Sequence, residues 1–485
     1  MSQLNNRREF MASTGMSFGS VAMGALLAGD GIVKGANQGQ GKFPHHSPRA
    51  RSVIWVFLSG GYSHLETFDP KPALNKYAGK TYAETPHPNP LESPLHKKRF
   101  RSVPSEEVNV RDVYPKIYPM QVGFRQYGEC GIGITDWWPH FSKCVDDVCF
   151  IRNMWTTDND HAAENQIHTG RHRLDEVQPS IGSWAHYGLG AINENLPKFI
   201  VLGGPTRSDT RESIAADYLG PAHAGVPLKN DPANPLSFGT RNGSQTAREQ
   251  QREFELIAAL NQITARENPR DQALNARIKS YELAFRMQSS VPEAVQLSGE
   301  TSETQSLYGI DQEKTRTAGQ RFLVARRLVE RGVRFVQVFP SAYGTWDSHR
   351  DLKKNHTRLC QTVDKPISGL LTDLRRRGLL EETIVVFCTE FGRTPGLEER
   401  GGGTTGRDHH PNGFTIWMAG SGLKRGYIHG ATDELGYHAL GDGHYVTDLH
   451  ATVLHLLGLD NRKLEVPGRK RLDIDHGKPI HEILA

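Results

Sequence analysis

The feature that most restricts this chain is a recurring pattern of short, nearly continuous apolar runs alternating with stretches of helical periodicity. SVIWVFL at 52–58, VRFVQVF at 333–339, TIVVFC at 383–388 and FTIWMA at 414–419 are rich in β-branched and aromatic residues. Such runs lack the in-out alternation of a strand with one wet face, so they predict strands buried on both faces. Shorter runs at 147–151 and 198–202 predict two more. Helices are expected over 161–168, over 317–331 up to Gly332, over 362–377 up to Gly378, and over 446–457 up to Gly458. The segment 244–288 also reads as helical, broken at Asn268-Pro269, with Leu274, Ile278, Tyr281 and Phe285 on one apolar face. Alternating strands and helices predict a parallel sheet covered on both sides. The expected fold is one large α/β domain over 52–485, with 70–135 and 205–245 as irregular insertions.

Composition enters as a check. With 37% hydrophobic residues in 485, the chain carries enough apolar material for a sizeable core, which excludes wholesale disorder. Lys and Arg number 58 against 54 Asp and Glu, a net charge of +4 that gives no argument for a nucleic-acid partner. Five cysteines with no Cys-x-x-Cys exclude a disulfide-dense scaffold and point away from structural zinc.

The N-terminus reads as an address. Asn6-Arg7-Arg8-Glu9-Phe10-Met11 has the form of a twin-arginine export signal, followed by an uncharged, glycine-diluted stretch to Ala28. Residues 1–36 are therefore expected to be a signal peptide that engages the twin-arginine machinery, and 37–51 a linker. The stretch is too dilute in apolar residues for a stable membrane anchor, so the mature protein is expected to have no transmembrane span and to reside in the periplasm or at the cell surface.

Open α/β sheets bind ligands beyond the carboxyl ends of their strands, so the residues that follow each strand are the candidates. Behind the first come Ser63, His64, Glu66 and Asp69. Behind the second come Asn159, Asp160 and His161, read as the candidate catalytic group with His161 as general acid or base. Asp347 and His349 follow the 333–339 strand, and Glu390 and Arg393 follow TIVVFC. Arg407, Asp408, His409 and His410 lie just ahead of FTIWMA. Mixed carboxylate and imidazole groups suit a divalent cation such as zinc, manganese, calcium or iron, with Asp347, His349, Glu390, Asp408, His409 and His410 as its candidate ligands. Arg393, Arg407 and Arg171 are candidates to hold a substrate anion, because planar guanidinium suits tetrahedral oxyanions. Two attractive signals fail: Gly79-Lys80-Thr81 lacks the first glycine of a phosphate loop, and Gly401-Gly402-Gly403 opens no helix. Beyond the expected signal peptide there is no Gly-x-Ser-x-Gly elbow, and the sequence has no His-Glu-x-x-His.

GGYSHLETFDPKP, SIGSWAHYGLG, ARIKSYELAFRMQ, LVARRLVERGVRFVQVF, WDSH, TEFGRTP, GRDHHPNGF and DLHATVLHLLGLD together resemble domain-of-unknown-function family 1501, an exported family of the alkaline-phosphatase/sulfatase-like superfamily. The resemblance implies an alkaline-phosphatase-like fold with a largely parallel central sheet. It places Glu390 where the superfamily has a metal-binding aspartate, with Phe391 where the next histidine stands. Asp347 and His349 resemble another ligand segment, and His409 or His410 the late metal-binding histidine. Asn159-Asp160-His161 stands where the superfamily carries its Ser, Thr or modified-Cys nucleophile. The first-strand aspartate is replaced by Ser59-Gly60, with Ser63, His64, Glu66 and Asp69 as substitutes. The function implied is a metal-dependent hydrolase of phosphate or sulfate esters, including esters on a polysaccharide, acting through activated water. The alternative is a non-catalytic exported protein that binds metal, glycan or a partner on the same fold.

Overall fold

The computed structural model describes residues 44–95, 114–172, 175–204, 212–229, 231, 235–236, 246–268, 278, 283, 285–287, 290–399 and 405–485. The expected signal at 1–36, linker residues 37–43, Leu274 and Tyr281 of the expected apolar helix face, and Gly401-Gly402-Gly403 lie outside the described residues.

In chain order the elements are β1 (Ser52–Phe57), α1 (Pro72–Lys76), β2 (Phe124–Tyr127), β3 (Ile132–Thr135), β4 (Val148–Trp155), α2 (Ala163–Thr169), α3 (Ile181–Leu189), β5 (Phe199–Leu202), β6 (Val226–Leu228), α4 (Ala247–Glu267), α5 (Ser302–Leu307) and α6 (Glu313–Glu330). There follow β7 (Phe335–Val338), α7 (Leu352–Arg376), β8 (Thr383–Cys388), β9 (Gly392–Arg393), β10 (His409–His410), β11 (Phe414–Gly420), β12 (Tyr427–His429), β13 (His444–Tyr445) and α8 (Val446–Leu456). The central sheet runs β12-β4-β11-β8-β1-β7-β5-β6, with β13 also paired to β4.

This is a mixed α/β fold with a largely parallel sheet. β1 pairs in parallel with β7 and β8, and β5 with β7 and β6. The exception is β11, antiparallel to both β4 and β8. A parallel return needs a crossover, usually helical. Between β8 and β11 the chain instead pairs β9 with β10, and no helix intervenes among the described residues.

Side-chain alternation along β1 builds two cores. Ile54, Val56 and Leu58 pack with Phe322, Leu323, Ile367 and Leu370 of α6 and α7. Val53, Trp55 and Phe57 pack with Ile167, Trp184, Leu449 and Val453 of α2, α3 and α8. Both faces of the central strands are therefore covered, and burial of these side chains is the main stabilising term.

Three segments differ from expectation. α7 starts at Leu352 rather than at 362 and carries Pro366 inside it. Its first turns bury Leu352, His356 and Leu359, and the histidine on the core face interrupts the apolar periodicity. The stretch 70–135, read as irregular, holds α1 and the β2–β3 hairpin, and 205–245 supplies the edge strand β6. No helix among the described residues is long and apolar enough to cross a membrane.

Candidate metal centre

The loops at the carboxyl ends of β1, β4, β7 and β8 meet, as an open α/β sheet requires of its ligand site. β1 ends in Ser59-Gly60-Gly61. Gly60 has a φ of +120°, open to glycine and strained for any other residue, and a Cβ there would lie 2.6 Å from Trp346 N. This close approach brings the loop after β7 over the end of β1: Trp346 N donates to Ser59 O at 3.0 Å, and Gly344 N to Ser59 Oγ at 2.9 Å.

Asp347 is the hub. Its Oδ1 lies 3.1 Å from His349 Nε2, 3.2 Å from His409 Nε2 and 2.7 Å from Arg393 Nη2. Its Oδ2 lies 3.1 Å from His161 Nε2. Burial raises the pKa of this carboxyl, but Arg393, then His161 and His409, more than offset it and hold the group ionised well below the usual carboxylate range.

The second nitrogen of each imidazole is already engaged. His349 Nδ1 lies 2.6 Å from Glu398 Oε2, His409 Nδ1 2.8 Å from Asn159 O and His161 Nδ1 3.3 Å from Glu390 Oε1. For His349 and His409 the acceptors on Nδ1 fix the tautomer that carries hydrogen there and leaves a lone pair on Nε2. His349 Nε2 and His409 Nε2, 3.1 Å apart, then aim lone pairs at each other and at an ionised carboxylate. That is a donor set for a cation. His161, Asp347 and His409 form one group able to hold a metal ion, and His349, Asp408 and His409 another.

Burial grades across the site. His409 and Arg393 are buried, while Asp347, His349 and His161 are partly exposed, so the cluster opens to solvent. Burial, reinforced by Arg393, lowers the His409 pKa to about 3 and keeps the ring neutral. For His161 burial also opposes the charged form, but hydrogen bonds that the ring donates to Asp347 and Glu390 prevail and raise it to about 9. Glu390 is fully buried, accepts from Gly60 N at 2.7 Å, and lies 2.9 Å from the Thr389 hydroxyl.

The other expected residues play different parts around this cluster. Consecutive side chains of β10 point to opposite sides: His409 faces Asp347, while His410 bonds Tyr437 O through Nε2. Asp408 accepts from His409 N at 2.8 Å and stands 3.6 Å from His349 Nδ1, behind the imidazoles. Of the residues placed with His161, Asn159 contributes its carbonyl, and Asp160 donates through its backbone N to Asp158 Oδ1 at 3.0 Å.

The candidates behind β1 are structural. Glu66 is bound by Arg407 at 2.7 Å and by the Ser63 hydroxyl. His64 Nε2 sits 2.9 Å from Gly436 O. Asp69 pairs with Lys71 at 3.1 Å and Arg152 at 3.5 Å.

The three arginines do not form an anion grip. A buried guanidinium must place its donors, and Arg393 directs four hydrogen bonds to the carbonyls of Gly60, Gly61 and Arg407 and to Asp347. Arg407 binds Glu66 and the carbonyls of Thr394, Pro395, Tyr118 and Pro119. Arg171 pairs with Asp475 and lies 3.7 Å from Asp175.

One residue escaped the sequence reading. Glu398 supports His349, and its only signal was a place in the same connecting segment as Glu390. Glu164 of α2 accepts from the Ser59 hydroxyl at 2.7 Å, tying the end of β1 to the helix behind His161.

Fold and site together define a mixed α/β protein with a carboxylate–imidazole cluster at the carboxyl ends of its central strands. The chain belongs to the family described as protein of unknown function DUF1501, whose model matches residues 50–484. No curated protein matches it. Among solved structures it is similar to the lipoteichoic acid synthase LtaP from Listeria monocytogenes, at 10% identity over 92% of this chain and 80% of that one, with a TM-score of 0.37. It is also similar to the PsFucS1 sulfatase from Pseudoalteromonas sp., at 12% identity over 98% and 77% of the two chains, TM-score 0.34. Alkaline phosphatase from the Antarctic bacterium TAB5 gives 10% identity over 85% and 99%, TM-score 0.33. Likeness at this level assigns no chemistry to this chain.

Proposed function

We propose that this chain is an exported, metal-dependent hydrolase of phosphate or sulfate esters, including esters carried on a polysaccharide. The observation that carries the reading is the convergence of His349 Nε2 and His409 Nε2 on Asp347 Oδ1, each ring held from behind by an acceptor on Nδ1. Two imidazoles and a carboxylate leave open positions for water and substrate, and suit zinc-, manganese- or iron-class ions. Bound there, such an ion supplies a Lewis acid that polarises an ester oxygen and makes water a nucleophile at neutral pH.

The chain's own groups do the rest. Glu390, fixed by Gly60 N, orients His161 through Nδ1, and His161 holds at Nε2 the proton destined for the departing oxygen. Arg393 keeps Asp347 ionised. The twin-arginine motif at Arg7-Arg8 supports export through the twin-arginine machinery.

The test combines metal analysis with an ester panel on the purified protein. At least one divalent ion per chain and turnover of a phosphate or sulfate ester are expected. His349→Ala and Asp347→Asn should lose the ion; His161→Gln should keep it and lose turnover. A second reading, a non-catalytic metal-binding protein, is favoured by the full engagement of Arg393 and Arg407 with protein groups. Bound metal without turnover on phosphate, sulfate and diester substrates would select it.

A further inference from the structure

A second pair of imidazoles stands away from the cluster around Asp347. His429 closes β12 and His444 opens β13, and both strands pair in parallel with the same partner, β4: His429 with Ile151 and His444 with Met154. Their Nε2 atoms are 2.8 Å apart. Both rings are partly exposed, so solvent reaches them.

The surroundings favour a lone pair on His444 Nε2. Its Nδ1 lies 3.6 Å from Asp448 Oδ2, one helical turn along α8. Asp448 is itself held, accepting from Tyr445 N at 3.3 Å and from Lys478 N at 2.7 Å. At 3.6 Å the carboxylate acts electrostatically rather than through a hydrogen bond, and it stands behind His444 on the side from which a carboxylate raises ligand basicity in metal sites. Two imidazoles sharing a tetrahedral cation at about 2.0–2.1 Å hold their nitrogens about 3.3 Å apart. The rings therefore need to part by only about half an ångström, a small rotation for partly exposed side chains.

We propose that His429 and His444 bind a divalent cation of the imidazole-preferring class, such as zinc, nickel or copper, with water completing the shell and Asp448 supporting His444. The position gives the site a structural purpose, because the two histidines flank the loop 430–443. That loop carries Gly436 and Tyr437, whose carbonyls hold His64 and His410 beneath the candidate metal centre, and Thr432, which bonds Asp69. A cation joining its two ends acts as a clip on that loop, added to the strand pairing at either end.

The experiment titrates the mature protein with zinc and with nickel, in the wild type and in a His409→Ala background that removes the residue common to both groups of the first site. Wild type should bind one ion more than either His429→Gln or His444→Gln. In the His409→Ala background zinc should still slow amide exchange across 430–443, and Asp448→Asn should weaken that binding by about 10–100-fold. The proposal is overturned if both glutamine variants, folded by circular dichroism, bind as many ions as wild type, or if zinc leaves exchange in 430–443 unchanged. Either result would reduce the pair to one imidazole hydrogen-bonded to the other.

Discussion

At the scale of single residues, the groups behind the cluster matter as much as those facing it. Glu398 touches no candidate ion, yet it sets which nitrogen of His349 carries hydrogen. Glu398→Ala is expected to lower cation affinity by about 10–100-fold. Glu398→Gln, whose amide oxygen still accepts from Nδ1, should lose less; calorimetric titration separates the two, and equal losses would contradict the tautomer argument. Arg407 presents the opposite case, a fully buried cation that serves the fold. Arg407→Met would strand Glu66 as an uncompensated buried charge and is expected to cost about 3–5 kcal/mol in urea denaturation, part of it recovered by Glu66→Leu. This is why a sequence reading of Arg407 as an anion grip fails: its charge is visible in the sequence, but the carbonyls that consume it come from residues 118–119 and 394–395, which only the fold assembles.

At the scale of elements, the site depends on how closely two loops approach. Gly60 allows the loop after β7 to cross the end of β1, and Gly60→Ala combines a disfavoured φ with overlap on the backbone of Trp346. It is expected to cost at least about 1–3 kcal/mol and to weaken cation binding together with thermal stability, because Asp347 follows Trp346 directly. A variant with unchanged metal affinity would show that the crossing is adaptable. The same scale explains what could be read in advance. TIVVFC is an uninterrupted apolar run and forms β8 over the expected residues. The loops behind β1, β4, β7 and β8 were foreseeable as the place where the carboxylates and imidazoles meet, because strand direction fixes which end they occupy. The antiparallel course of β11 was hidden, since an apolar run carries no sign of its direction. Also hidden was the division of labour in Asp408-His409-His410: which histidine faces Asp347 depends on the phase of a two-residue strand, a property of its pairing with Gly392 and Arg393 rather than of its own residues.

At the scale of the whole molecule, the buried histidines make stability a function of pH. His168 and His356 are fully buried and burial pushes their pKa values down to about 3; His450 is pushed to about 4. In the unfolded chain the same groups titrate near 6.5. Above that pH all three are neutral in both states and contribute no pH dependence. Below it the unfolded chain takes up protons that the folded chain refuses, so stability falls with acidification, by about 1.4 kcal/mol per pH unit for each group until the folded pKa is reached. Below pH 6.5 the three act in the same direction, and His186 and His223, held at about 2 and about 4 by burial, add to the loss. His161 does not oppose this. Its pKa is raised to about 9, so the stability it contributes is fully present below 6.5 and is lost only as pH climbs through 9. The check is His450→Gln, whose amide can still donate to Ile167 O as His450 Nε2 does at 2.8 Å, but cannot be protonated. The unfolding free energy of this variant should vary less steeply between pH 6.5 and 5, by about 1.4 kcal/mol per pH unit. An unchanged slope would mean that His450 takes up its proton within the folded core.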